Sequence, residues 1–301
     1  MAGAIPLEEL APARPVVEVR SVGHVLTSNR KFMVGTTIFV GLLVAALVVG
    51  LLLGPNALRT GAVPAKLGAG GPGLLLLGST TLGQSILAQL TQAIPNSMMV
   101  GLVAAIIGTV VGALLGLLSG YFGGKIDAVL RVLIDVFLAV PSLLFLILIA
   151  SVLRGLGVPA IAAIIGAFAW AWPARAVRSQ VLSLKERPFV QVGLLSGLSG
   201  IEIVWGELMP LLLPWLGANF INAFISAILT ESGLSILGLG SQRDMTLGQM
   251  IFWALNYGAL LQNMWWWWFT PVLMLIVLFL ALYLVHLGLD EVANPRLRTQ
   301  A

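Results

Sequence analysis

Three stretches carry no charged side chain at all: Phe32 to Leu58, Leu67 to Gly124 and Met245 to Leu289. A helix needs roughly 20 apolar residues to cross a bilayer, so the longer stretches hold a pair of crossings with a connection between them. Hydrophobic residues make up 59% of the chain and charged residues 9%, against roughly 45–50% and 25% in soluble domains. So few charges cannot cover that much apolar surface in water. The expected class is an all-α polytopic membrane protein.

Hydropathy and turn residues divide it into six spans. The first runs from about Phe32 to Leu53 and stops at Gly54-Pro55-Asn56. Residues 54–93 read as an extracytoplasmic loop, with GAGGPG at Gly68 to Gly73 as flexible punctuation. A core of five further helices occupies 94–291. Its first span starts near Pro95 and reaches Tyr121; the next, about Ala128 to Leu153, contains Asp135 and Pro141. The following span, about Pro159 to Val181, has a kink expected at Pro173. The one after it, about Leu211 to Leu239, carries Glu231, and the last ends near Leu289. An outer loop with its own short helix fills about 241–267. Gly108, Gly112, Gly116 and Gly120 fall at intervals of four, a small-residue stripe of the kind that lets membrane helices pack backbone to backbone.

Charge placement orients the spans. Twelve of the sixteen Lys and Arg residues fall on one side of this topology: Arg14, Arg20, Arg30, Lys31, Lys125, Arg131, Arg175, Arg178, Lys185, Arg187, Arg296 and Arg298. Arg59, Lys66, Arg154 and Arg243 fall on the other. The bias marks the first side as cytoplasmic, with tails at 1–31 and 292–301 on that side and the first span kept as an uncleaved anchor. It also accounts for the net charge of +4 without a nucleic-acid partner. The chain has no Cys, which removes any redox argument.

Catalytic patterns are missing. Gly124-Lys125 is followed by Ile126 and lacks the upstream glycine of a nucleotide-binding loop. His24 and His286 have no acids or cysteines at metal-ligand spacing, and no Ser-centred elbow or HExxH string occurs. No catalytic residue, metal or cofactor is assigned to this chain. Asp135 and Glu231 are acids inside spans, where ionisable groups are costly. They read either as lining a polar path or as hydrogen-bonded structural groups, and the simpler reading is the second. Trp265 to Trp268 read as an interfacial belt.

The segment from Leu184 to Pro210 differs from everything around it: half polar, basic, and helically spaced. Phe189, Val192, Leu195 and Leu198 recur at intervals of three, so one face can bury against something. Gly193, Gly197 and Gly200 loosen the helix and admit a close neighbour. Lying on the basic side, the segment reads as a docking surface for another protein.

Five strings in order resemble the permease subunits of dipeptide/oligopeptide-type ABC importers, in particular the "C" member of the heterodimeric pair. They are LLGSTTLGQSIL from Leu76, GLLSGYFGGKIDAVLRVLIDVFLAVPSLL from Gly116, Val177 to Pro210, ILTESGLSILGLG from Ile228 followed by LGQMI, and NPRLR at Asn294. The resemblance covers about residues 75–298. Where the family usually has Glu-Ala-Ala in its cytoplasmic loop this chain has Gln191-Val192-Gly193, and Glu207 replaces the usual His; Gly197 and Pro210 are kept. The resemblance implies the six-helix type I importer permease fold with a coupling-helix loop at about 184–208. It implies ATPase coupling through Lys185, Glu186, Phe189, Gln191, Val192, Gly193, Gly197, Glu207 and Pro210, and a translocation path touching Asn96, Asp135, Pro141 and Glu231. Implied partners are a second permease, two ATPase subunits that bind ATP and Mg, a substrate-binding protein at the outer loops, and the lipid of a prokaryotic inner membrane. The expected cargo is peptide, with oligosaccharide or nickel as alternatives within the same machinery. A secondary transporter is the alternative of a different class, but it should show repeated broken helices.

Overall fold

The structure is a computed structural model in which residues 29–153 and 155–293 are described. The basic residues Arg14, Arg20, Arg154, Arg296 and Arg298, along with His24 and the NPRLR string, lie outside the described residues. Among the described residues the regular elements are helical, with one isolated bridge between Ser79 and Ser85.

Helix α1 covers Arg30–Leu53, its first turn closed by Asn29, whose side chain accepts from the Phe32 amide. Helix α2, Ile86–Phe122, is the axis of the molecule. It begins nine residues before the proline where the sequence suggests a start, because Ser85 caps it by accepting from the Ala88 amide. Pro95 then lies inside the helix. Burial of Ile86, Ala88, Leu90, Ala93 and Ile94 outweighs the local cost of that proline.

Two adjacent left-handed glycines, Gly123 and Gly124, reverse the chain into α3, Gly124–Ala139. The expected third span is broken here. Val140 is extended, as a residue before proline prefers to be, and α4, Ser142–Val152, leaves Pro141 at 77° to α3. The fourth crossing, Val158–Leu184, is interrupted once, at Trp170 between α5 (Val158–Ala169) and α6 (Ala171–Leu184), about one turn before Pro173, whose missing amide leaves the Ala169 carbonyl without its helical donor. Pro173 itself falls in the first turn of α6, where a helix accepts proline. A short helix α7, Pro188–Leu195, follows. A helical turn at Gly200–Glu202 and a π turn at Ile203–Leu208 then lead without a break into α8, Met209–Ile236. Helix α9, Leu247–Asn256, lies within the outer connection, and α10 covers Trp265–Ala293. Five helical stretches are long and apolar enough to cross a membrane, and the bent α3–α4 pair brings the number to six.

The glycine stripe does what its spacing suggests. A Cβ on Gly108 would lie 2.8 Å from Ala169, one on Gly112 2.7 Å from the Trp170 carbonyl, one on Gly116 2.6 Å from that of Ala174, and one on Gly120 2.8 Å from Val181. Helix α2 thus lies backbone to backbone along α5 and α6. Gly101, off the stripe, receives the ring of Phe224 from α8. Helices α1 and α10 close on each other at Gly35 and Gly288, and Lys31 pairs with Glu291 at 2.5 Å.

Residues 54–85 are more structured than a flexible loop. Ser79, Thr80 and Ser85 are fully buried. Ser79 Oγ donates to the Pro64 carbonyl at 2.7 Å and accepts from the Leu67 amide at 2.9 Å, while Ser85 Oγ donates to the Leu74 carbonyl at 2.6 Å. Small polar side chains here replace a hydrophobic core with hydrogen bonds. The Trp quartet divides instead of forming one belt. Trp265 is exposed, Trp266 Nε1 donates to the Ser79 carbonyl at 3.2 Å, and Trp267 is buried in the core. Four consecutive helical residues point in four directions, so they meet different surroundings.

Candidate functional site

Two features stand out, at different depths: a short helix held away from the bundle at one end, and a cavity in its flank.

Helix α7 begins with Pro188 at its first position. Only Val190 turns fully inward, 1% exposed, into a cluster with Val177 and Val181 of α6, Ile203 and Leu208 of the π turn, and Leu117 of α2. That anchor is worth about 1.5–3 kcal/mol. The face expected to bury, Phe189, Val192, Leu195 and Leu198, is exposed in this chain, Leu195 to 90% and Val192 to 60%. Eight residues are too few to bury two faces, and Leu198 lies beyond the end of the helix.

That end is a Schellman cap. The Leu198 amide donates to the Gly193 carbonyl at 3.1 Å and the Gly197 amide to that of Leu194 at 3.1 Å, with Gly197 at φ +86°. Gly193 lies under the Leu198 side chain, and Gly200 against the Tyr121 ring. Ser199 and Glu202 then form a capping box: the Ser199 amide donates to Glu202 Oε2 at 2.7 Å, and the Glu202 amide donates to Ser199 Oγ at 3.3 Å. Lys185 is half-buried and Glu186 and Gln191 are exposed beside the helix, while Glu207 and Pro210 lie one and two turns further along, in the π turn and the start of α8. The structure therefore brings most of the proposed coupling residues onto one projection, with a rigid cap at each bend.

The proposed path residues do not meet. Asn96 Nδ2 donates to the Met245 carbonyl at 2.8 Å, tying α2 to the outer connection. Asp135 accepts from Arg175 and lies 4.0 Å from Arg131. Pro141 forms the α3–α4 bend. Glu231 is 1% exposed, and its Oε1 accepts from Ser235 Oγ at 2.6 Å and Thr246 Oγ1 at 2.7 Å. Asp135 and Glu231 each have side-chain partners, while Glu231 Oε2 is buried without one among the described residues.

The cavity, about 370 Å³, opens between α4, α5, α6 and α8. Its polar wall is Asn219, Asn222, Ser226 and Thr230 of α8 with Ser142 of α4, facing Phe168 and Trp172. Among the described residues no Asp, Glu, Lys or Arg lines it. The sequence does not single out the four polar residues of α8 by charge, yet they recur at i, i+3, i+7 and i+11 in an otherwise apolar span.

Comparison with known proteins matches this arrangement. The family model described as "Binding-protein-dependent transport system inner membrane component" matches residues 108–299. An oligopeptide transport system permease protein OppC of Salmonella typhimurium is 40% identical over 189 residues, 62% of this chain and 58% of the relative. That of Mycobacterium tuberculosis H37Rv is 31% identical over 177 residues, 58% of this chain and 61% of the relative. These alignments span about three fifths of the relatives' own length. Among solved structures, a chain of the MetNI methionine ABC transporter in an inward-facing conformation superposes with a TM-score of 0.52 at 21% identity, covering 68% of this chain and 94% of that one. That likeness concerns the fold. The family model covers 108–299, most of the chain: the protein belongs to the binding-protein-dependent transport system inner membrane component family.

Proposed function

We propose that this chain is a permease subunit of an ATP-driven, binding-protein-dependent importer, forming half of the translocation pathway for peptides across a prokaryotic inner membrane. The observation that carries the reading is α7: an apolar face, exposed within this chain, on a helix fixed to the bundle by Val190 and by the Gly197 cap. The peptide assignment rests on likeness to the OppC relatives.

In this reading two ATPase subunits in the cytoplasm bind ATP and Mg, and one of them holds α7 in a surface groove. A second permease completes the pathway, and a binding protein delivers cargo to the outer connections, residues 54–85 and 241–264. The basic end of the bundle faces the cytoplasm. Closure of the ATPases displaces α7. Val190 packs on both α6 and α8's π turn, so the displacement passes to two crossings at once. The ATPase dimer can drive the change only by binding one state of the lever more tightly than the other.

The chain has no cysteine, so a single one can report position without background. Leu195→Cys in the assembled complex is expected to crosslink to the ATPase through a short bifunctional reagent. A Leu260→Cys control, on the outer connection, is expected to give no such adduct. A reversed pattern, or no adduct from either, refutes the docking assignment.

A further inference from the structure

The cavity wall says something about what passes it. Asn222 and Ser226 are exposed on α8, and among the described residues neither side chain takes part in a hydrogen bond. Asn219 is buried, with one end of its amide tied to Thr109 Oγ1 at 3.3 Å. Its other end has no partner among the described residues, and the residue lines the cavity. An unpaired amide facing hydrocarbon is costly, so this face of a membrane helix must meet water, cargo or another protein. The charged side chains nearby are engaged elsewhere: Arg175 with Asp135, Arg178 with Asp127.

We infer that Asn219, Asn222, Ser226 and Thr230 form a cargo-contacting strip that recognises neutral peptide groups. A side-chain amide carries the same donor and acceptor as a peptide bond and can pair with one in either direction. A strip of such groups without charge holds an extended peptide by its main chain and leaves its side chains unread. Trp172, half exposed and stacked on Trp215 with ring centroids 6.0 Å apart, gives the opposite wall an apolar surface that tolerates varied side chains. Peptides of either charge would therefore pass with similar ease. The inference rests on the importer reading above and adds the residues that meet cargo.

The test uses the complete transporter in proteoliposomes with its partner subunits and binding protein. Uptake of three pentapeptides is measured: all-alanine, and the same with a central Lys or a central Glu. Each variant-to-wild-type ratio cancels the preference of the binding protein. Asn222→Asp is expected to lower uptake of the Glu peptide about tenfold while the Lys peptide stays within about twofold, since like charges in a confined wall repel. Asn222→Leu is expected to lower all three by a similar factor. If Asn222→Asp fails to assemble, Ser226→Asp one turn along gives the same charge test. Equal factors for all three peptides in the Asp variants overturn the inference. So does dissociation of the permease pair in Asn222→Leu, which would make the strip a subunit contact. Uptake of a neutral oligosaccharide but of no peptide by the wild type overturns the peptide assignment. Absence of any ATP-dependent uptake by the wild type refutes the importer reading itself, an outcome separate from wild-type uptake with charge-indifferent variants.

Discussion

Arg178 grips Asp127 with both sides of its guanidinium fork, Nε 2.6 Å from Oδ1 and Nη2 2.7 Å from Oδ2, across the turn that joins α2 to α3. Ser119 Oγ donates to the same carboxylate. The pair is about one-fifth exposed on each side, which spares it most of the solvent screening that weakens surface ion pairs. It fixes the α2–α3 turn to α6, the helix from whose far end the α7 lever departs. A double-mutant cycle with Asp127→Ala and Arg178→Ala, read by unfolding of the detergent-solubilised chain, should give a coupling energy of about 1.5–3 kcal/mol. A coupling near zero would mean that the fork is idle.

The glycine stripe makes a sharper comparison. A Cβ at Gly116 would come within 2.6 Å of the Ala174 carbonyl, a backbone atom that cannot turn away, whereas one at Gly41 would meet nothing within 4 Å. Gly116→Ala should therefore force α2 and α6 apart and destabilise the chain by about 1–3 kcal/mol. Gly41→Ala should be neutral or stabilise by up to about 1 kcal/mol through helix propensity. Thermal unfolding in detergent checks both. Equal stabilities for the two variants would contradict the backbone-to-backbone packing.

Much of this was written in the sequence, and the misreadings have physical causes. Uncharged runs and the fourfold glycine interval give the membrane class and a close-packed face on α2, because hydrocarbon leaves few alternatives for such patterns, while the partner along that face, α5 and α6, comes from the structure. Pro95 reads as a start and lies within a helix, while the true signal, Ser85 as cap, is hidden inside what reads as a loop. The interruption expected at Pro173 falls at Trp170, about one turn before the proline, where its missing amide places it. In α7 the apolar spacing is legible, but spacing cannot tell a face that its own chain buries from one that it leaves exposed, and Leu195 is exposed. The cavity strip is hard to read from sequence because its residues carry no charge. Asp135 is paired with Arg175 and Glu231 Oε1 accepts from two hydroxyls, leaving Glu231 Oε2 and the uncharged Asn222 without a partner among the described residues.

Glu231 reaches from α8 to Thr246, the cap of α9, and so ties a crossing to the outer connection. Its Oε1 accepts two hydroxyl hydrogen bonds, and a glutamine oxygen can accept both. Glu231→Gln should transport nearly as well as the wild type. Glu231→Leu removes both acceptors and leaves the Thr246 and Ser235 hydroxyls unpaired in a buried site, at a cost of about 1–3 kcal/mol for each group so left. Hydrogen exchange across Leu247–Asn256 should quicken in the Leu variant and not in the Gln variant. A large loss of uptake in Glu231→Gln with intact assembly would instead place this carboxylate on the transport path.

Gly197 allows the lever's role to be tested by backbone conformation alone. Its φ of +86° is a conformation that side-chain-bearing residues adopt at a cost of about 1–2 kcal/mol. Yet a Cβ there would meet nothing within 4 Å, so there is room for a side chain and only the dihedral resists. Asparagine tolerates the left-handed region and a β-branched residue does not. Gly197→Asn should therefore keep the Schellman cap and retain coupling. Gly197→Val should lose the cap, let α7 pivot on Val190, and separate ATP hydrolysis from uptake. The expected signature is a fall in uptake of about tenfold, as 1.4 kcal/mol of lost preference implies, with membrane insertion and basal hydrolysis preserved. Because the two side chains are close in size, equal behaviour of the Asn and Val variants would show that the cap conformation plays no part in coupling.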